Sequence, residues 1–241
     1  MRFDIAISDT LLAALEGAPT SGGNIASDDH VPALTPFQRA RLGKITGSNF
    51  HKVTRGRAGK GWSATAESYL DELVWEWMSG RPAQNFDGSR ATEWGNRHET
   101  EAIELYQQIT GRAVVRNKFY EAPGFQGLVG CTPDGVGETH GLEVKCPYNP
   151  KNHVRTIRSK QVPCEYQDQC YGHMLCTGRY FCDFVSYDPR LPDEYKMAVV
   201  LVEADAAEME DLRERLADFE LLLIESLTEI GIDWTAPNWM L

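Results

Sequence analysis

Cys131-Thr132-Pro133-Asp134-Gly135, followed shortly by Leu142-Glu143-Val144-Lys145-Cys146, is the stretch that decides the fold. The first piece ends an apolar run from Gly127, and the second alternates apolar and charged side chains. The interval from Val136 to Gly141 is rich in turn formers, so the whole reads as a hairpin. Successive strand side chains point to opposite faces, which puts Glu143 and Lys145 on one face and Leu142, Val144 and Cys146 on the other. An antiparallel neighbour brings Asp134 beside them. Pro133 confines Thr132 to extended geometry, and Gly135 lets the chain turn just after the acid.

Two carboxylates and an ammonium at one spot have a chemical use. Hard carboxylate oxygens suit Mg²⁺, with Mn²⁺ as a substitute, and the Val144 carbonyl offers a further oxygen. Such an ion acts on a phosphoryl oxygen as a Lewis acid and acidifies bound water. Lys145 is placed to orient or deprotonate that water, or to balance charge on phosphorus. An isolated Glu-x-Lys is commonplace on solvated hairpins. The Pro-Asp-Gly at hairpin distance is what gives this one weight, and the rest of the chain supplies its context.

At 241 residues the chain is long enough for one large domain, and 42% hydrophobic residues is ordinary for a globular protein. No apolar run approaches the roughly 18 residues of a membrane span, and the first residues lack a signal-peptide pattern. The expectation is a cytoplasmic protein with no membrane association. Six cysteines include no Cys-x-x-Cys pair, which removes zinc spacing and leaves buried reduced thiols. The net charge of −11 excludes a uniformly basic coat. Its distribution is polarised. Residues 31–66 contain no acid but hold Arg39, Arg41, Lys44, Lys52, Arg55, Arg57 and Lys60. Lys151, Arg155, Arg158 and Lys160 form a second basic group, and residues 203–229 carry ten acids. That pattern fits a positive channel with an acidic back.

Residues 1–35 read as an N-terminal extension, with a short helix over 5–15 and a Gly/Ser/Pro/Asp-rich linker over 17–29, ahead of a single domain at 36–241. Thr46-Gly47-Ser48-Asn49 supplies N-cap residues for a helix through Phe50 and Val53, and its N-terminus beside Arg41 is a natural anion site. A basic Gly-rich loop follows at 54–62. The spacing predicts a helix over 63–79 with Ala66, Tyr69, Leu70, Leu73, Val74, Trp77 and Met78 buried. A second helix over 92–110 places Glu99 on the face of Ala102, Ile103 and Tyr106. Strands are expected at 113–121, 127–134 and 142–146, and mixed helix and loop at 149–161. A helix over 164–176 carries Gln169 and His173 on one side. Strands over 179–187 and 195–202 and a long helix over 204–230 complete the chain. The order gives an α/β protein with a mixed sheet flanked by helices.

Pro-Asp-Gly…Glu-Val-Lys behind a helix bearing Glu99 resembles the PD-(D/E)xK nuclease superfamily, with its restriction-endonuclease-like core. More closely, the chain resembles the phage lambda exonuclease family of viral recombination nucleases. The carrying pieces are Arg41–Ser48, Trp94–Glu99, Cys131–Gly135, Leu142–Pro147, the set Gln167, Gln169, Tyr171, His173 and Met174, and Tyr187–Arg190. They span roughly residues 36–232 in the family's order.

The resemblance implies Mg²⁺-dependent digestion of one strand of duplex DNA from the 5′ end. Mononucleotides are released and a 3′ overhang is left for recombination by strand annealing. By position, Asp134 and Glu143 match the metal-binding acids, with Val144 lending its carbonyl. Lys145 matches the catalytic lysine, Glu99 the helix acid near a second metal, and Gln169 the glutamine of the site. Arg41 matches the arginine that holds the 5′-phosphate, assisted by Ser48, and Thr132 stands where a serine is found. The family also implies a homotrimeric ring and a single-strand annealing protein as partner. Arg55, Arg57 and Lys151 are the candidate phosphate contacts along the duplex, and Trp62 a candidate wedge at the end base pair. Two other readings remain open on the sequence: an endonuclease of the same fold, and a non-catalytic DNA-end-binding scaffold.

Overall fold

The computed structural model describes residues 34–83, 89–116 and 118–236. The helix and linker expected within residues 1–35 fall outside that range.

Most helices begin where a side chain takes an unpaired N–H group of the first turn, and four end at a left-handed residue. Helix α1 (Pro36–Arg41) has a capping box between Thr35 and Gln38 and a proline in its first turn. Helix α2 (Ala64–Ser79) is capped by Ser63, whose side chain accepts from the Ala66 N–H, and stops at Gly80. Ser89 caps α3 (Arg90–Thr110), which stops at Gly111. Asn149 caps α4 (Pro150–Ser159), and Gly178 closes α5 (Cys164–Thr177). Asp205 accepts from Ala207 and Glu208 at the start of α6 (Ala206–Glu229). No helix among the described residues is long and apolar enough to cross a membrane.

The strands form two sheets rather than one. In the first, β1 (Ile45–Thr46) runs parallel to β3 (Val129–Cys131), and β2 (Tyr120–Glu121) pairs antiparallel on its other side. The second has the order β4 (Gly135–Val136), β5 (His140–Lys145), β6 (Phe181–Tyr187), β7 (Met197–Glu203). Here β5 and β6 are parallel, and both outer pairs are antiparallel.

Helix α3 covers one face of the second sheet: Ala102, Ile103 and Tyr106 pack with Leu142, Val144, Val185 and Tyr187. Helix α5 lies on the opposite face, with Cys170 and Met174 against Cys182 and Phe184. Its Leu175 and Cys176 also enter the larger core around the first sheet, α2 and α6. Helix α5 is thus the wedge between the sheets. Its close approach needs Gly172, where any Cβ would enter the Phe50 ring.

Several expectations change. The strand expected over 127–134 is shorter. Within it only Val129–Cys131 is strand, in the first sheet, and the hairpin with β5 is made just beyond it by Gly135–Val136, in register Gly135↔Leu142. Gly135 serves packing more than turning: a Cβ there would stand 2.7 Å from Val114 Cγ2. The expected helix after Thr46 is a 3₁₀ turn, Gly47–Lys52, and Thr46 makes no side-chain cap. Met78 is 68% exposed, because the α2 stripe is narrower than the sequence pattern and centres on Tyr69, Leu73 and Trp77. Only a short part of 113–121 is paired as strand. Residues 149–161 are more helical than expected. Cys164 is exposed, while the other five thiols are buried and none is bonded.

One buried acid ties α6 to the approach to β3. The Glu220 carboxylate, 3% exposed, accepts the N–H groups of Gln126 and Leu128 at 3.0–3.1 Å. Burial pushes its pKa up and those N–H groups pull it back. Glu220→Ala leaves two backbone donors unpaired and should cost about 2–4 kcal/mol at pH 7, measured by urea unfolding. Glu220→Gln should recover about half.

Candidate active site

The end of β5 assembles the site. Leu142 and Val144 point into the α3 core, so alternation sends Glu143 and Lys145 to the α5 side. Asp134 directly precedes β4, and its Oδ2 accepts the Val144 N–H at 2.7 Å. This bond locks the acid to the strand that carries the other two groups. The structure therefore brings Asp134, Glu143 and Lys145 together as the sequence suggests, through the two-residue strand β4 rather than through β3.

Glu143 is 1% exposed. The Lys145 ammonium forms an ion pair with its Oε1, and His173 Nε2 stands 3.4 Å from its Oε2. Among the described residues, neither Glu143 oxygen accepts a well-directed hydrogen bond. The Lys145 ammonium also lies 4.8 Å from the centre of the Tyr166 ring, a cation–π contact. Burial draws the Lys145 pKa down, but Glu143 and Asp134 outweigh it and hold the amine protonated well above its ordinary value. Asp134 is pushed well above the usual carboxylate range, first by burial and then by the charge of Glu143.

Glu99 sits near this group without joining it. Its Oε1 accepts from Arg116 at 2.9 Å, and its charge reaches Asp134 as a further upward push. Gln169 is buried one turn ahead of His173 on α5.

Arg41 lies beside the same cleft. Its Nη1 donates to Thr132 Oγ1 at 3.1 Å and its Nη2 to Ser48 Oγ at 3.4 Å. Burial lowers the pKa of its guanidinium, yet an arginine stays charged. Arg41 and Ser48 border a cavity of about 420 Å³ whose wall includes Lys44, Asn49 and Tyr69. Thr132 links this cavity to Asp134 two residues on. A second cavity of about 370 Å³ opens at Lys145, between Tyr166 and Arg155.

The remaining candidates lie apart. Arg55 is ion-paired with Asp218 and stacked 4.2 Å over Trp62. Trp62 packs edge-on against Phe219 at 5.1 Å, so it belongs to the α6 core and is not a free wedge. Arg57 and Lys151 are exposed. Tyr166 was missed because nothing in the sequence links a helix aromatic to a lysine on another element.

The donor set fits a divalent cation. Two hard carboxylates crowd one another, and both Glu143 oxygens are buried without a hydrogen bond. Among the described residues, no three His, Cys, Asp or Glu side chains suffice to hold an ion by themselves.

A mixed sheet between helices, with an acid before one strand and Glu-x-Lys on the next, defines a PD-(D/E)xK-type nuclease fold, the fold of the alkaline exonucleases. The chain belongs to the YqaJ-like viral recombinase family, whose domain matches residues 36–180. It is similar to the crystal structure of an alkaline exonuclease, LHK-Exo, from Laribacter hongkongensis. The identity is 31% and the TM-score 0.73, over 80% of this chain and 94% of that one. LHK-Exo in complex with dAMP matches at 32% identity and TM-score 0.72, over 80% and 93%. A phage related exonuclease from Haemophilus somnus 129PT shares the fold at 16% identity and TM-score 0.61, over 78% and 96%. No curated protein matches the chain.

In metal-free protein, Glu143→Gln removes the negative neighbour that raises the Asp134 pKa. The Asp134 carboxyl should then titrate at lower pH, read from its ¹³C NMR signal. An unchanged midpoint would contradict the proximity of the two acids.

Proposed function

We propose that the chain is a Mg²⁺-dependent exonuclease that digests one strand of duplex DNA from its 5′ end, releasing mononucleotides and leaving a 3′ overhang for strand annealing. The observation that carries this reading is the Asp134–Glu143–Lys145 group: the Lys145 ammonium is ion-paired with Glu143, the charge of Asp134 acts on both, and among the described residues neither Glu143 oxygen accepts a hydrogen bond. Family membership and the likeness to an alkaline exonuclease support it. The complex of that relative with dAMP accords with a mononucleotide product.

Asp134, Glu143 and the Val144 carbonyl would hold the cation, and Mn²⁺ would serve in place of Mg²⁺. Once bound, the ion supplies charge neutralisation at the scissile phosphate and makes water a stronger acid. Lys145 sits protonated beside both acids and donates to a phosphoryl oxygen, balancing the charge that builds on phosphorus. Glu99 adds negative charge for a second cation, and Gln169 orients groups at the cleft floor. Arg41, with Ser48 and Thr132, grips a terminal 5′-phosphate; bidentate contact with a dianion gives the enzyme its polarity. Arg57 and Lys151, exposed on the surface, contact the duplex backbone without reading bases, and Arg55 does so after leaving Asp218. The same reading carries a homotrimeric ring around the duplex and a single-strand annealing protein as partner.

A time course on linear duplex in Mg²⁺ tests these points together. Wild type should release mononucleotides faster from 5′-phosphoryl than from 5′-hydroxyl ends and leave closed circles intact. Asp134→Ala should lose at least roughly 10³-fold in rate, since the ion supplies several kcal/mol. Arg41→Ala should erase the preference for the phosphoryl end. Cutting of closed circles, or full activity of Asp134→Ala, would overturn the reading.

A further inference from the structure

His173 has a place in the cleft that the functions above do not use. It lies on α5, is 0% exposed, and packs over β5, where a Cβ added at Gly141 would stand 3.4 Å from its own Cβ. Its Nε2 is 3.4 Å from Glu143 Oε2, and among the described residues neither atom has a hydrogen-bond partner. Its other nitrogen, Nδ1, stands 4.0 Å from the Cys182 thiol, a weak donor. The thiol also donates to the Asp183 carbonyl at 3.8 Å, so Nδ1 has no strong partner, and the acceptor facing Nε2, the Glu143 carboxylate, favours the ring proton on Nε2. A ring built only to fill space would not leave its polar atom facing a buried carboxylate that also lacks a partner.

We propose that His173 is a positioning residue: its Nε2–H holds the Glu143 carboxylate in the orientation that binds the catalytic cation, while Lys145 restrains the other oxygen. The inference rests on Glu143 being a metal-binding acid. Groups one step removed from a metal commonly fix the ligand's rotamer and its affinity. Lysine alone cannot do this here, because a flexible ammonium does not define a direction. The separation of 3.4 Å is of the kind that shortens when a catalytic site is loaded.

The test measures Mn²⁺ binding by the full chain, from the free-Mn²⁺ electron paramagnetic resonance signal, in wild type, Glu143→Ala, His173→Leu and His173→Gln. Wild type should bind, and Glu143→Ala should not. His173→Leu fills the space without a donor and should weaken binding about 10–100-fold. His173→Gln restores an N–H and should return binding to within about threefold of wild type. Equal Mn²⁺ affinity in wild type and folded His173→Leu overturns the proposal, as does a glutamine variant that folds yet binds no better than the leucine one. Failure of wild type to bind Mn²⁺ would instead overturn the metal reading itself. A second readout needs no variant: long-range ¹H–¹⁵N spectra of Mg²⁺-loaded wild type should show the His173 proton on Nε2. A bare Nε2 overturns the proposal, because the ring would then be a ligand or a filler.

Discussion

Two carboxylates and one ammonium, held together where water is scarce, are the constraint on which this structure turns. Asp134 and Glu143 repel each other, and the repulsion and burial together drive the Asp134 pKa upward. A chain that only needed stability would place apolar groups here, since buried charges repay their desolvation poorly. The cost is met locally. The Val144 N–H binds Asp134, and Lys145 and His173 face Glu143. What remains is a site whose acids lack one positive partner, and a divalent cation is the simplest group that supplies it.

The scaffold around that point is organised to keep it rigid. Strand β5 lies between β4 and β6, with α3 on one face and α5 on the other. Turning Glu143 to the other face of the strand would pull Leu142 and Val144 out of the opposite core. Helix α5 in turn is fixed by Gly172 against Phe50, in the 3₁₀ turn that also carries Ser48. The proposed anion pocket at Arg41 and the carboxylates therefore share supports. The Arg41–Thr132 bond joins them directly.

Much of this was legible in the sequence, for identifiable reasons. Period-two alternation put Glu143 and Lys145 on one face, and a strand cannot change that without losing the Leu142–Val144 core. Helices α2, α3 and α6 carry long apolar stripes with ordinary caps, and α5 ends at Gly178, so their existence was plain. Short elements were not. Strands β1, β2 and β4 have two residues each and no pattern of their own. Their pairing is set by long-range packing, and so the division into two sheets was hidden. The fates of Trp62 and Arg55 depended on Phe219 and Asp218, far along the chain, which spacing cannot reveal. His173 was visible only as a polar residue on a helix face; its partner became clear once β5 was seen beneath α5.

The central claim concerns one position in space, and diffraction at the manganese absorption edge addresses it directly. Crystals of the protein grown with Mn²⁺ should give an anomalous peak bounded by the Asp134 and Glu143 carboxylates and the Val144 carbonyl. Ordered Asp134, Glu143 and Lys145 at full Mn²⁺ concentration with no peak among them would contradict the account.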